Sequence, residues 1–200
     1  MDRIKRLKIL NSITGIKPAN LIGTINTQGQ SNLAIISSVV HLGSDPALIG
    51  FIMRPSGEVE RHTLNNILST EYYSINHVHE SMIDQAHYTS AAFDVSISEF
   101  DACHFKAAFL DDFVAPYVDN SLLKIGLKLQ EVIEIKSNGT QMIIGAVEAL
   151  YFDEIFLDPE HEISFEHSKS IGIVGLNAYY GLYKVKSLPY ARVNELPDFN

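Results

Sequence analysis

The chain has 200 residues, 46% hydrophobic and 20% charged, with a formal net charge of −9 at pH 7. This composition indicates a folded globular protein, and the negative charge argues against nucleic acid or an anionic membrane surface as a partner, because both attract basic faces. The single cysteine, Cys103, excludes an internal disulfide and a cysteine-rich zinc site. A reducing compartment is therefore favoured, and we expect a cytoplasmic protein.

The N-terminal MDRIKRLKIL is basic but is not followed by the apolar segment of an export signal. Apolar runs elsewhere are shorter than a membrane span. Neither export nor membrane insertion is expected.

The first strands are predicted soon afterwards. LIGTIN (21–26) has strand composition, TQGQ (27–30) supplies a hairpin glycine, and an apolar run starts at Asn32. After the Ser-Asp-Pro break at 44–46, residues 47–53 predict another strand. We expect these three strands to form a meander.

Two helices are predicted next. The first covers residues 63–69 with Thr63 as its N-cap, because threonine side chains commonly accept hydrogen bonds from helix-start N–H groups. The second lies around residues 81–91. Its inward-facing residues are expected to be Met82, Ile83, Ala86 and Ala91.

The clearest alternation lies in the second half of the chain. Leucine and isoleucine alternate with lysine, glycine and glutamine over 123–130, which predicts a strand with one buried face. Asn138-Gly139 is a strong hairpin signal, and residues 140–152 predict a long strand in which glycine and alanine allow a bend. The Asp-, Glu- and His-rich segment 153–170 is expected to be exposed.

Many short strands with few helices predict a mainly β fold, a closed antiparallel barrel with helical insertions. No repeat, low-complexity run or linker divides the chain, so one domain over residues 1–200 is expected. The glycine motifs of Rossmann and P-loop proteins and the serine elbow of hydrolases are missing from the sequence.

Histidines offer one candidate cluster. His77 and His79 would share a face of a continuing strand, with Glu80 and His87 nearby in sequence, so a metal site is one interpretation. A third ligand at a diagnostic spacing does not follow them, and surface histidines are the other interpretation. We predict no metal site.

The loop RPSGEVERHT (54–63) is the second candidate. It carries two of the three arginines outside the N-terminal segment, Arg54 and Arg61, and ends at the predicted helix start. Guanidinium groups, a hydroxyl and unpaired helix N–H groups together suit a phosphate. An ordinary solvated loop with a helix cap is the alternative.

The order of these pieces resembles the flavin reductase family with the FMN-binding split barrel, particularly its flavoredoxin-like branch. The motifs carrying the resemblance are N-x-A-x-x-S-S from Asn32, S-D-P-x-L-I-G-F at 44–51, R-x-T-x-x-N-I from Arg61 and Y-Y-S-I-N at 72–76. Later landmarks are HYTSAAFD with SEF (87–100), the strand at 122–135, the Asn138-Gly139 hairpin and IVGLNAYYGLYK (173–184). The resemblance covers about residues 16–190 and implies a split β-barrel of the antiparallel Greek-key type.

The resemblance also implies a set of FMN-binding residues. Those expected beside the isoalloxazine ring are Ser37, Ser38 and Val39. Those expected at the phosphate are Arg54, Arg61 and Thr63. Asn32 is expected near the ribityl chain or a local turn, and the helix end Tyr88-Thr89-Ser90 is included among the binding residues.

Four further residues have a structural interpretation at least as good as a ligand contact. Tyr179 and Tyr180 are either core aromatics on a last strand or neighbours of the flavin or nicotinamide. Asn66 and Asn76 are expected to satisfy buried backbone groups.

The activity implied is transfer of hydride from NADH or NADPH to flavin and on to an acceptor, which is a free flavin, a ferric complex or a protein. No catalytic side chain is predicted, because the flavin supplies the chemistry. A homodimer is also implied. The alternatives are an electron carrier of the flavoredoxin type and a non-enzymatic barrel that binds another small anionic ligand.

Overall fold

Strands make up most of the regular structure in the computed structural model, which describes residues 1–55 and 61–199. The strands are β1 Lys17–Pro18, β2 Asn20–Ile25, β3 Ser31–Ile36, β4 Val40–Ser44, β5 Ala47–Met53, β6 Tyr72–His77, β7 Ala107–Ala108, β8 Tyr117–Val118, β9 Lys124–Ile135, β10 Thr140–Tyr151, β11 Ile171–Val174 and β12 Ala178–Gly181. The α-helices are α1 Arg3–Ile13, α2 His62–Thr70, α3 Ile83–Tyr88 and α4 Glu99–Ala102. Short 3-10 turns cover Glu80–Met82, Glu154–Phe156 and Val193–Glu195.

Seven antiparallel strands form the main sheet in the order β3-β2-β6-β9-β10-β5-β4. The described residues also form a three-stranded sheet, β1-β11-β12, and a two-stranded sheet, β7-β8. The predicted mainly β antiparallel fold is confirmed.

The β9-β10 hairpin is the longest element, with twelve residues in each strand. Its turn follows from Asn138 and Gly139: the Asn138 Oδ1 accepts a hydrogen bond from Thr140 N at 3.0 Å, and Gly139 has a φ of 74°. The β9-β10 register shifts after Ile144, so the predicted bend is present. Gly145 is required there, because a Cβ would lie 2.3 Å from the hydroxyl of Tyr73.

The predicted meander is wrong. β2 and β3 pair as expected, but β5 pairs with β4 and β10 instead of β3. The short, exposed strand β4 was not predicted, and the turn at Asp45 and Pro46 joins it to β5 as a hairpin. The chain thus crosses from one edge of the main sheet to the other between β3 and β4.

Helix α2 begins one residue before the prediction, at His62, and Arg61 occupies the N-cap position. Thr63 as N-cap is therefore wrong. Its hydroxyl lies 3.0 Å from the side-chain amide of Asn32, so the contact with β3 replaces a cap.

The second predicted helix is present as a 3-10 turn followed by α3. Met82 and Ala86 are buried as expected and Ile83 is partly buried. Ala91 is exposed, because α3 ends at Tyr88. Helix α1 was not predicted: its apolar residues are spread around the helix, and none of its residues is buried.

Two apolar clusters form the core. One contains residues of β2, β3, α3 and β11, including Leu21, Leu33 and Ala86. The other contains residues of β2, β5, β6 and α2, including Phe51 and Tyr73. The main sheet contributes to both clusters. Among the described residues, no helix has the length and apolarity needed to cross a bilayer.

The histidines near the end of β6 make separate contacts. His77 stacks on Phe165 with the ring centres 6.3 Å apart, and burial lowers its pKa to about 4. His79 Nε2 lies 3.0 Å from the carbonyl oxygen of Asn120. Within residues 1–55 and 61–199, no group of three or more His, Cys, Asp or Glu side chains could hold a metal ion.

We predict that His77 makes the free energy of unfolding depend on pH. The unfolded chain binds a proton at about pH 6.5, whereas the folded protein resists protonation down to about pH 4. Because the unfolded state binds more protons between these values, stability should be complete above the unfolded pKa and fall as the pH drops towards 4, by at most about 1.4 kcal/mol per pH unit. Urea titrations from pH 7 to 5 measure this.

The His77→Phe variant should lose this part of the pH dependence while keeping an aromatic ring against Phe165. His104→Gln, which replaces an exposed histidine and retains His77, should keep the wild-type slope. Equal slopes for His77→Phe and wild type would contradict the assignment.

Candidate flavin site

A cavity of about 310 Å³ lies between the ends of β3 and β5, the start of α2 and the segment after α3. Six of the ten residues predicted to bind FMN line it: Asn32, Arg54, Arg61, Thr63, Thr89 and Ser90. Its apolar lining comes from Ala34, Ile35, Ile36, Ile52, Met53, Ala91, Ala92 and Phe93. The cavity therefore combines an apolar wall with a polar end at the start of α2.

Two arginines, Arg54 and Arg61, lie at this polar end. The Nε of Arg61 is buried and has no hydrogen-bond partner among the described residues. Arg54 follows β5 and is exposed, whereas residues 56–60 of the predicted phosphate loop lie outside the described residues. The first hydrogen bond of α2 among the described residues joins Asn65 N to Arg61 O, and the start of a helix has a positive partial charge that favours an anion.

The free edge of β3 forms one side of the cavity. The N–H groups of Leu33 and Ile35 bond to side chains instead of a neighbouring strand: Leu33 N donates to Glu99 Oε2 and Ile35 N donates to Thr89 Oγ1, both at 3.0 Å. The Thr89 hydroxyl also donates to Ala86 O at 2.8 Å. The Thr89 hydroxyl thus both accepts and donates a hydrogen bond within the protein.

Asn32 joins β3 to both helices that border the cavity. In the amide orientation that satisfies all its neighbours, Asn32 Oδ1 accepts from Thr63 Oγ1 at 3.0 Å and Nδ2 donates to Glu99 Oε2 at 3.2 Å. Burial raises the pKa of the Glu99 carboxyl, while the hydrogen bond from Leu33 N and the nearby His62 act in the opposite direction. A line of three side chains, Glu99, Asn32 and Thr63, therefore crosses the floor of the cavity.

Residues 37–39 lie between β3 and β4, outside the strand ladders. The hydroxyl of Ser38 accepts from Ile52 N at 2.9 Å and donates to Ile52 O at 3.2 Å, which ties this segment to β5. Val39 packs against the core cluster that contains Phe51. Ser37 is partly buried. These three residues are outside the lining of the cavity.

The residues predicted at the end of α3 differ in whether they line the cavity. Ser90 lines the cavity and its hydroxyl donates to His87 O at 2.7 Å. Tyr88 is 65% exposed and lies outside the lining. The ring of His87 instead contacts β12, because its Nδ1 lies 2.9 Å from the hydroxyl of Tyr179. Tyr180 is exposed.

The two asparagines predicted to be structural are both buried. Asn76 satisfies backbone groups as expected, with Nδ2 donating to Leu21 O and Oδ1 accepting from Val118 N. Asn66 differs, because its Nδ2 donates to the hydroxyl of Thr24.

Sequence reasoning missed two titratable side chains in the lining, His62 and Glu99. His62 is adjacent to the predicted phosphate residues and the shifted helix start brings it into the site. Glu99 belongs to the SEF landmark, but only the pairing of β3 shows that its carboxylate meets an unpaired strand edge.

Comparisons with known proteins agree with this architecture. A split-barrel protein from Shewanella frigidimarina NCIMB 400, assigned to the flavin reductases, is 42% identical, with coverage of 96% of this chain and 94% of that one and a TM-score of 0.91. Nitrilotriacetate monooxygenase component B from Bacillus cereus shares the fold at 18% identity, with coverage of 94% and 95% and a TM-score of 0.84. Flavoredoxin of Desulfovibrio vulgaris (Miyazaki F) does so at 19% identity, with coverage of 88% and 92% and a TM-score of 0.75.

The family assignment follows from the sequence match as well as the fold. Residues 16–162 match the family described as the flavin reductase like domain, which accounts for most of the chain. The match begins just before β1 and includes every residue that lines the cavity. The chain therefore belongs to the flavin reductase-like family and has its split-barrel fold.

Proposed function

We propose that the protein binds FMN in this cavity and acts as an oxidoreductase that accepts hydride from NADH or NADPH and passes the electrons to a flavin, a ferric complex or a protein. The observation that carries the proposal is the polar end of the cavity, where the buried Nε of Arg61 lacks a partner among the described residues at the start of α2. A buried guanidinium nitrogen without a partner is costly, and a phosphate oxygen would satisfy it.

The phosphate of FMN fits this end by charge and by hydrogen bonding. Its charge of about −1.5 to −2 at pH 7 complements Arg61, Arg54 and the first N–H groups of α2. The Thr63 hydroxyl faces the same cavity. Arg61 holds the phosphate through charge-assisted hydrogen bonds, and Arg54, which is exposed, adds a weaker attraction.

The apolar wall suits the isoalloxazine ring. Ile35, Ile36, Ile52 and Met53 exclude water from one side of the cavity. Because the Ser38 hydroxyl is occupied by Ile52, the polar edge of the ring would meet Ser37 and the backbone of residues 37–39. We propose that Ser38 and Val39 fix the position of this segment. Asn32, Thr89 and Ser90 border the ligand, while the exposed Tyr88 lies at its periphery.

The bound flavin would supply the hydride-accepting chemistry. The protein's contribution is to bind the phosphate, orient the ring and leave room for the nicotinamide. A general acid or base is not needed for hydride transfer, so none of the side chains is assigned a catalytic role.

We expect the protein to be a cytoplasmic homodimer. The segment after β12 supports the dimer, because it exposes large apolar side chains that a second copy would cover, including Tyr183 (74% exposed), Val185 (83%) and Tyr190 (85%). Sedimentation of the purified protein should give twice the mass of the chain, and a monomer mass at micromolar concentration would contradict this.

The first functional prediction concerns Arg61. Replacing it with alanine should weaken FMN binding roughly tenfold to a hundredfold, because a charge-assisted contact contributes about 1.5 to 3 kcal/mol. Riboflavin, which lacks the phosphate, should bind nearly as it does to wild type. Fluorescence titration with both ligands measures the difference.

Arg192→Ala is the matched control, since Arg192 is exposed and pairs with Glu195 at 3.7 Å. It should leave the affinity for both ligands unchanged. Equal losses of FMN and riboflavin affinity in Arg61→Ala would falsify the phosphate assignment, and failure of wild type to bind FMN would reject the proposed function in favour of another anionic ligand.

The second functional prediction separates a reductase from an electron carrier. Under anaerobic conditions the FMN-loaded protein should lose its visible flavin absorption when NADH or NADPH is added, and an added flavin or ferric acceptor should restore it. Absorbance that stays unchanged with both donors, but disappears with dithionite, would support the flavoredoxin-type carrier.

A further inference from the structure

The hydrogen bonds from Glu99 through Asn32 to Thr63 depend on one another, because turning the Asn32 amide over changes both of its contacts. A carboxamide has one acceptor end and one donor end, so the two contacts of Asn32 cannot be chosen independently. One end lies 3.0 Å from Thr63 Oγ1 and 3.1 Å from Leu33 N, and the other lies 3.2 Å from Glu99 Oε2. Two arrangements are compatible with these positions.

In the first arrangement Glu99 is ionised. Its Oε2 accepts from Asn32 Nδ2, so Asn32 Oδ1 faces Thr63 and the Thr63 hydroxyl must donate to it. The Thr63 oxygen then offers only lone pairs to a ligand in the cavity. This arrangement does not suit a phosphate, whose oxygens need donors.

In the second arrangement the Asn32 amide is turned over. Its Nδ2 donates to Thr63 Oγ1 at 3.0 Å, which leaves the Thr63 hydroxyl hydrogen available to donate to a ligand. Asn32 Oδ1 now faces Glu99 Oε2, and two acceptors repel unless Glu99 carries a proton. A protonated Oε2 donates to Asn32 Oδ1 and still accepts from Leu33 N. Asn32 Nδ2 then lies 3.1 Å from Leu33 N, a contact between two donors that binding of the phosphate has to offset.

We propose that Glu99 is a positioning residue for the flavin phosphate, and that FMN binding takes up a proton at Glu99 because Thr63 can donate to the phosphate only after the Asn32 amide turns over. The inference rests on the proposed function, since it needs a phosphate at Arg61 and Thr63. It gives Glu99 a role in phosphate binding that acts through Asn32 and Thr63.

The surroundings of Glu99 permit both charge states. Glu99 is 8% exposed, and its burial raises the pKa of its carboxyl above the ordinary value. His62 of α2 acts in the opposite direction, as does the hydrogen bond from Leu33 N. The thiol of Cys103, at the end of α4, also lies near Glu99, whose charge adds to the effect of burial in raising the pKa of Cys103.

Arg54 and Arg61, which line the same cavity as Glu99, are further charged groups on this side of the described chain. A proton taken up on binding makes FMN affinity fall as the pH rises between the pKa of Glu99 in the free protein and its higher value in the complex. The fall is at most about tenfold per pH unit.

The test counts protons by isothermal titration calorimetry of FMN into the full chain, in buffers with different ionisation enthalpies, at several pH values between about 5 and 8. Glu99→Gln cannot ionise, and its carboxamide oxygen can still accept from Leu33 N. Wild type should take up as much as one proton per FMN more than Glu99→Gln. Comparing Glu99→Gln with wild type removes the contribution of the FMN phosphate, which is present in both.

Thr63→Val distinguishes turnover of the Asn32 amide from simple attraction and repulsion between charges. A phosphate near Glu99 would favour protonation of the carboxyl even if the Asn32 amide did not turn over. Thr63→Val keeps this effect of charge while removing the hydroxyl. The proton count of Thr63→Val should fall to that of Glu99→Gln, and Thr63→Ser, which retains the hydroxyl, should keep the wild-type count. Riboflavin should show no excess uptake in wild type.

Each result decides the inference. Equal proton counts for wild type and Glu99→Gln, or a wild-type count in Thr63→Val, would overturn it while leaving FMN binding and the proposed function intact. If Glu99→Gln does not fold, the comparison of Thr63→Val with Thr63→Ser decides alone. Failure of wild type to bind FMN would remove the proposed function and this inference together.

Discussion

The unpaired edge of β3 is the constraint on which the candidate site depends. A strand at the edge of a sheet has backbone N–H groups without a neighbouring strand, and burying them unpaired would cost about 1 to 3 kcal/mol each. Glu99 and Thr89 satisfy the N–H groups of Leu33 and Ile35. Because these side chains come from α4 and the end of α3, both helical segments are held against the strand, and the cavity forms above this contact.

The polar groups around the site divide into those that hold the fold together and those left for a ligand. Thr89 has its hydroxyl fully occupied by Ile35 N and Ala86 O, and Ser38 is similarly occupied by Ile52. The hydroxyls of both residues are therefore used within the fold and are not offered to a ligand. Arg61 differs, because its Nε is buried without a partner among the described residues. Buried polar groups that the protein leaves unsatisfied are the places where a ligand gains most, and this one lies at a helix start.

Local patterns in the sequence predicted much of the fold. The β9-β10 hairpin follows from alternation and from Asn138-Gly139, and β5 has the predicted bounds. The partner of β5 could not be read locally, because β10 lies about ninety residues further along the chain. Helix α1 was missed because it presents no apolar face to the core. Arginine placement located the polar end of the site, and six of ten predicted residues line the cavity. Glu99 escaped prediction because its role depends on a contact with Leu33, 66 residues away.

The way in which β3 is covered also has a consequence for biosynthesis. The groups that satisfy Leu33 N and Ile35 N lie 66 and 54 residues later in the chain. A ribosome adding about 5 to 20 residues per second therefore exposes this strand for several seconds before Thr89 and Glu99 emerge. During that interval the β2-β3 hairpin has an open apolar edge suited to pairing with another nascent chain. Slow elongation through residues 36–99 would lengthen the interval in which such pairing competes with folding of the same chain.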